Sequence, residues 1–328
     1  MKHTNPGRVY DAYRVRVEEK LRSLADHNTP VSVSRPIRYV LSGRGKRIRS
    51  LLVLFSCEAV GGNPRRALDT AAAMEILHNF TLVHDDVMDN SELRRGRATV
   101  HERWNPNIAI LSGDELVALA YRSLLRTDTR RLKEILVVFT ESFIEVCEGQ
   151  ALDKEFEIRK DVSLEEYLSM IGKKTGRMIA AATEIGGLVG GGTRGEVAAL
   201  RAFGEHLGRA FQIRDDLLDA VGSEDQFGKK IGSDIRERKK TYLFLTALGR
   251  ARGGDRSFLS SLRTRNGITT RVVDRVRGIY VRTGTIEAAE RAIERSTARA
   301  QESLRPIKPG RGKELLLWLS HRLLDRAS

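Results

Sequence analysis

The sequence predicts an all-α fold, one domain of ten or more helices, and three observations lead there. Apolar residues recur at helical spacing nearly from end to end. Clusters of Gly, Pro and Asn divide those stretches into lengths typical of helices. Period-two runs joined by hairpin turns are absent.

The elements follow in order. Residues 8–26 carry apolar spacing with interleaved charge, and 48–60, 66–89, 108–125 and 131–158 each read as long helices. Residues 164–190, 196–220, 240–250, 269–281, 284–303 and 311–326 continue the pattern. Gly61-Gly62-Asn63-Pro64, Asn105-Pro106-Asn107, Gly190–Gly192 and Gly253-Gly254-Asp255 mark turns between them. Ser163 with Glu166 three residues on forms a capping-box pattern at a helix start. No fixed-period repeat, low-complexity linker or composition break divides the chain, so residues 1–328 read as a single domain.

Composition narrows the class. Of 328 residues, 41% are hydrophobic and 30% charged, a globular rather than a disordered balance. Cys57 and Cys147 sit in apolar stretches and read as reduced core residues of a cytoplasmic protein. No apolar run approaches the roughly 18–20 residues that span a bilayer, and the N-terminal stretch lacks the apolar core of a signal peptide. The formal net charge is +14. Much of the excess lies in residues 251–328, which hold 17 Lys/Arg against 8 Asp/Glu. A solvated Arg-rich helical surface accounts for it, and an anionic partner is the alternative. Nucleic acid is not expected: aromatics are 6%, with no basic–aromatic interleaving for base stacking.

Chemistry concentrates in His84-Asp85-Asp86-Val87-Met88-Asp89. Positions i and i+4 share a helix face, so Asp85 and Asp89 point the same way with Asp86 alongside. An exposed acidic face is one reading; a hard cation held by oxygen donors, as suits Mg²⁺, is the other. The spacing recurs at Asp215-Asp216-Leu217-Leu218-Asp219. Two such sets on two apolar helices favour the cation, because helices of a bundle can turn such carboxylates inward. Basic clusters accompany them: Gly45-Lys46-Arg47-Ile48-Arg49, Arg94-Arg95-Gly96-Arg97, Lys173-Lys174, Lys229-Lys230 and Lys239-Lys240. Acidic sets beside basic clusters describe a metal–polyphosphate site.

In these motifs the chain resembles the trans-isoprenyl diphosphate synthases. The matching pieces run in the family's order: GRGKRIR at 43–49, LHNFTLVHDDVMD at 77–89, LRRGRAT at 93–99, Gly149-Gln150-x-x-Asp153, KKTG at 173–176, FQIRDDLLD at 211–219 and GKKIGSDIRERKKT at 228–241. The resemblance implies an isoprenoid-synthase-type helical bundle around a central cavity. It also implies Mg²⁺-dependent head-to-tail condensation of isopentenyl diphosphate with an allylic diphosphate, by ionisation, condensation and elimination. Asp85 and Asp89 would bind two Mg²⁺ ions, with Asp86 in support, and Asp215 a third, with Asp219 nearby. Arg94, Lys174 and Lys239 would hold the allylic diphosphate. Lys46, Arg49, His78 and Arg95 would hold isopentenyl diphosphate, and Thr175 and Gln212 would line the reacting carbons. Segment 229–240 would close over the substrates. Two departures stand out: Arg44 replaces a family glycine, and Ser50 stands where a proline is usual.

Product length turns on the residues before Asp85. Leu77 and Thr81 precede it by eight and four residues, on nearly its face, and Phe80 precedes it by five. Phe80 thereby becomes the floor beneath the growing tail, with an ordinary core phenylalanine as the alternative. A single aromatic here resembles the archaeal type of geranylgeranyl diphosphate synthase. The expected product is therefore C20, with farnesyl diphosphate, C15, as a partial or alternative one. The family implies a homodimer, for which the apolar stretches 108–120 and 134–147 are candidates. Three rivals remain: an HD-type phosphohydrolase built on His84-Asp85, a non-catalytic synthase subunit, and a basic nucleic-acid-binding protein.

Overall fold

Asn5 opens the first helix, α1 (Pro6–Ala25), by accepting a hydrogen bond from Gly7 N at 2.8 Å, and Pro6 occupies the first turn, where no N–H is required. The computed structural model describes residues 5–26, 30–43, 45–222, 232–262 and 267–324. Lys229, Lys230, Arg44 and the expected helix end at 325–326 lie outside those residues.

By internal contacts the chain divides into two compact units, and each has its own helical core. The first comprises residues 1–143, 181–201 and 304–318. It holds α1, α2 (Val31–Leu41), α3 (Ile48–Ala59), α4 (Leu68–Met88), α5 (Val100–Arg103) and α6 (Pro106–Leu124). α4 is buried on nearly every side from Thr70 to Phe80, as befits a helix apolar all round, and packs chiefly against α6 and α3. The second unit comprises residues 144–180, 202–303 and 319–328. It holds most of α7 (Leu132–Ile158), α8 (Leu164–Ile171), the start of α9 (Arg177–Val189) and most of α10 (Arg194–Val221). It continues with α11 (Ser233–Arg236), α12 (Tyr242–Arg250), α13 (Gly253–Ser261), α14 (Thr270–Arg282) and α15 (Thr285–Ser303). α16 (Arg311–Leu324) closes the chain.

The expected capping box is present: Glu166 N donates to Ser163 Oγ at 3.1 Å, and Ser163 N to Glu166 Oε2 at 2.8 Å. Those bonds, with Arg159 beside it, pull the Glu166 carboxyl down to about 2.

Four local expectations need correction. The stretch read as one helix over 164–190 is interrupted by a π-turn at Gly172–Gly176. A hairpin does occur, β1 (Leu93–Arg94) against β2 (Arg97–Ala98), turning at Arg95-Gly96 with φ of 53° and 74°. Positive φ at both central residues suits the right-handed twist of the strands, but two-residue strands are too short to show alternation. α2 escaped notice because Pro36 lies inside it, and α13 because its Gly-Gly-Asp start reads as a turn. Finally, Cys57 is buried as expected, but Cys147 is exposed. No helix among the described residues is long and apolar enough to cross a membrane.

Candidate active site

In the first unit the site grows from α4. Asp85 is half-buried and Asp89, the C-cap, is exposed. Asp86 faces elsewhere: it is buried and accepts Arg94 Nε–H at 2.7 Å. Burial pushes the Asp86 carboxyl up, and the Arg94 guanidinium pulls it part of the way back. The three adjacent carboxylates thus divide, two toward the accessible face and one onto an arginine. The hairpin that presents Arg94 and Arg95 also borders a cavity of about 470 Å³, shared with Asp86, Asn79, Tyr39 and Thr99.

His78 lies one face-turn before Thr81 and Asp85. Burial, and then Arg49, Arg95, Arg94 and Arg47, hold its pKa well below the ordinary histidine value. Its imidazole is therefore neutral near pH 7, and the positive charge around it comes from the arginines. The loop before α3 is pinned from within. Arg47, at φ 51°, is buried and pairs with Glu75 at 3.1 Å, while its Nη2 donates to the Leu41 and Gly43 carbonyls at 2.9 and 2.7 Å. Ser50 Oγ lies 2.8 Å from the Ala71 carbonyl and 3.2 Å from Glu75 Oε2, contacts that a proline could not make. Lys46 is exposed and Arg49 half-buried. Arg47 therefore belongs to the scaffold of this basic cluster, not to its accessible face.

Leu77 is fully buried, Phe80 nearly so, and Thr81 half-buried with its hydroxyl donated to the His78 carbonyl at 2.9 Å. Phe80 meets Phe143 of α7 edge-on, with centroids 5.3 Å apart, and His84 at 4.7 Å. His84 donates Nε2–H to the Ile110 carbonyl at 3.2 Å, so its ring serves the packing of α4 on α6. This weakens the phosphohydrolase reading, which needs His84 for a metal.

In the second unit the π-turn places Lys174 and Thr175. Lys174 Nζ reaches Asp153 at 2.6 Å. Thr175 Oγ1 donates to Gln212 Oε1 at 3.1 Å, and Gln212 Nε2 donates to Asp216 Oδ1 at 3.1 Å. Asp216 also accepts from the Tyr167 hydroxyl and from Tyr242 N, the latter at 3.0 Å. Burial pushes the Asp216 carboxyl up to about 6, against the pull of those bonds. Asp219 is buried and accepts from Ser233 Oγ at 2.5 Å and Asp234 N at 3.0 Å. Burial, then Asp219 and Asp216, lift Asp234 to about 7. Lys239 pairs with Glu237 at 2.7 Å and Asp234 at 3.7 Å. Burial alone would depress its pKa, but Asp234 and Glu237 carry it upward. Lys174, Thr175, Gln212, Asp216, Asp234 and Lys239 border a cavity of about 150 Å³. Asp215 is half-buried beside it in sequence.

Sequence reasoning missed Glu75, Phe143, Tyr167 and Asp234. Glu75 had a signal: it is the one carboxylate in the apolar run Ala71–Leu77, and a buried carboxylate requires a cationic partner. The other three are brought in by the fold from distant segments.

The π-turn is held by close backbone contacts. A Cβ on Gly149 would lie 2.3 Å from Lys174 N, and one on Gly208 2.7 Å from Gly176 Cα. Gly149→Ala is expected to displace Lys174 and Thr175 and to lower kcat about 10²-fold, the cost of a misplacement near 1 Å. Steady-state rates and Tm measured together check this; an unchanged kcat would show that the turn tolerates the shift.

The geometry supplies two sets of carboxylates, cationic side chains beside each, and a buried Phe80 packed against Phe143. Oxygen donors of this kind suit a hard divalent cation. Among the described residues, no three His, Cys, Asp or Glu side chains gather into a group that could hold a metal ion by themselves. Residues 30–278 match the polyprenyl synthetase family model. The short chain isoprenyl diphosphate synthase of Methanothermobacter thermautotrophicus is 41% identical over 315 residues, 96% of each chain. The geranylgeranyl pyrophosphate synthetase structure from Pyrococcus horikoshii superposes with a TM-score of 0.91 at 35% identity, covering 98% of each chain. The polyprenyl synthase of Caulobacter crescentus, solved with calcium and isoprenyl diphosphate, gives 0.88 at 28% identity, over 98% of this chain and 97% of that one. Divalent metal is part of this family's chemistry. The motifs, the fold and these matches agree: the chain belongs to the polyprenyl synthetase family of prenyltransferases.

Proposed function

We propose that this chain condenses isopentenyl diphosphate with an allylic diphosphate and delivers mainly all-trans geranylgeranyl diphosphate, C20, with residues 1–328 acting as one synthase domain. The observation that carries the product length is Phe80, buried five residues before Asp85 with its ring against Phe143. Leu77, Phe80 and Thr81 form the wall along which the tail extends. The second aromatic, Phe143, favours a C15 share in the product.

Asp85 and Asp89 fit two Mg²⁺ ions, since both are oxygen donors on one accessible helix face. Asp215, with Asp219 nearby, fits a third, beside Asp216 and Asp234, whose carboxyls are raised by burial and by neighbouring carboxylates. When bound, the ions supply Lewis-acid neutralisation of diphosphate charge. Asp86 contributes by holding Arg94. Arg94, Lys174 and Lys239 are the cations assigned to the allylic diphosphate, opposing the charge that grows as it departs. Lys46, Arg49, Arg95 and neutral His78 hold isopentenyl diphosphate. Thr175 and Gln212, hydrogen-bonded to each other, line the reacting carbons, and the apolar wall keeps water from the allylic cation. The isopentenyl double bond attacks that cation, and the released pyrophosphate takes the proton lost in elimination.

Exposed Ile110 and Leu111 on α6 and Val137 on α7 support a homodimer through the apolar stretches noted above. A cytoplasmic location fits a catalyst of charged, water-soluble substrates.

The length assignment is tested by Phe80→Ser, with products dephosphorylated and sized. Chains longer than C20 are expected; an unchanged product would remove Phe80 as the floor.

A further inference from the structure

The family match spans residues 30–278, so α1 and α16 lie wholly outside it. Both nevertheless bear on the loop that carries Lys46. Tyr10 of α1 is buried, and its hydroxyl donates to the Lys46 carbonyl at 2.7 Å. Its ring stands edge-on to Trp318 of α16, with centroids 5.6 Å apart. That carbonyl belongs to the peptide leading into Arg47, whose φ of 51° is a conformation that costs energy for any residue but glycine. Arg47 anchors its own side of the loop through Glu75 and the Leu41 and Gly43 carbonyls. Tyr10 anchors the Lys46 peptide itself. The Lys46 side chain is exposed, so its direction follows from the backbone beneath it. Arg49 lies in the first turn of the helix that this peptide launches.

We propose that Tyr10, steadied by Trp318, is a positioning residue for isopentenyl diphosphate: it fixes the Lys46–Arg47 peptide so that the Lys46 ammonium and Arg49 guanidinium meet the same diphosphate. This rests on the assignment of Lys46 and Arg49 to that substrate. Its consequence is that elements outside the matched segment set the affinity for one substrate and not the other.

Tyr10→Phe tests it, because the ring and its contact with Trp318 stay while the hydroxyl goes. The expected result is a KM for isopentenyl diphosphate raised about 3–10-fold, the range of one lost hydrogen bond. kcat and the allylic KM should stay within about twofold, the signature of lost binding to one substrate. Lys46→Ala is measured in parallel, and the double variant should fall short of the sum of the two losses, since only Arg49 is then left for Tyr10 to position. If Lys46→Ala raises that KM and Tyr10→Phe does not, the positioning role is overturned while the assignment of Lys46 stands. If Lys46→Ala leaves it unchanged, both fall. A Tyr10→Phe effect spread over both KM values, or added in full to that of Lys46→Ala, would show general loosening and overturn the proposal.

Discussion

Asp85→Ala and Asp89→Ala are each expected to lower kcat by about 10³-fold, the upper range for removing one group that stabilises transition-state charge. The helix should survive both changes. Asp85 is half-buried, Asp89 is exposed, and alanine is the strongest helix former. Asp86→Ala should behave differently. It strips Arg94 of the carboxylate it donates to at 2.7 Å, so activity falls through the arginine and stability falls with it. Rates at saturating Mg²⁺ with a circular dichroism melt for each variant separate the cases. Equal losses of Tm in all three would argue that the set is structural.

Arg47→Met is expected to destabilise the protein by about 3–5 kcal/mol, because it leaves Glu75 as an uncompensated buried charge. The side chains are only 2% and 4% exposed, so water cannot take the place of the lost partner. Adding Glu75→Leu should recover much of that loss, since an apolar pair of similar volume avoids the desolvation of both charges. Urea unfolding of the two single variants and the double variant forms the cycle. Additive losses would show that the pair is not coupled. Activity should recover less than stability, because Arg47 also ties the loop to the Leu41 and Gly43 carbonyls.

The helical fold was legible because the long helices are either amphipathic at helical spacing or apolar over helical length, with turn residues between them. α4, α6 and α10 lie within two residues of their expected ends. The aspartate sets were legible for a related reason, since i, i+4 spacing on a known helix fixes a shared face. What stayed hidden depends on contacts between distant segments. Nothing near Asp216 in sequence announces Tyr167 or Tyr242, and nothing near Phe80 announces Phe143. The division of labour within Asp85-Asp86-Asp89 was also hidden. Spacing put Asp86 beside the other two, and only the hairpin that carries Arg94 shows where its carboxylate is spent. The π-turn at Gly172–Gly176 had no periodic signal, and Gly149 and Gly208, which approach it closely, come from distant segments. Ser50 shows the reverse. Read as a departure from the usual proline, it places a hydroxyl within hydrogen-bond distance of the Ala71 carbonyl and of Glu75, the partner of Arg47.

The most direct test of the catalytic reading is one incubation: purified protein, Mg²⁺, labelled isopentenyl diphosphate and each allylic starter in turn, with a chelator control and the dephosphorylated products sized. The expected result is a Mg²⁺-dependent C20 alcohol, with at most a minor C15 share. Failure to condense isopentenyl diphosphate with any starter would contradict it.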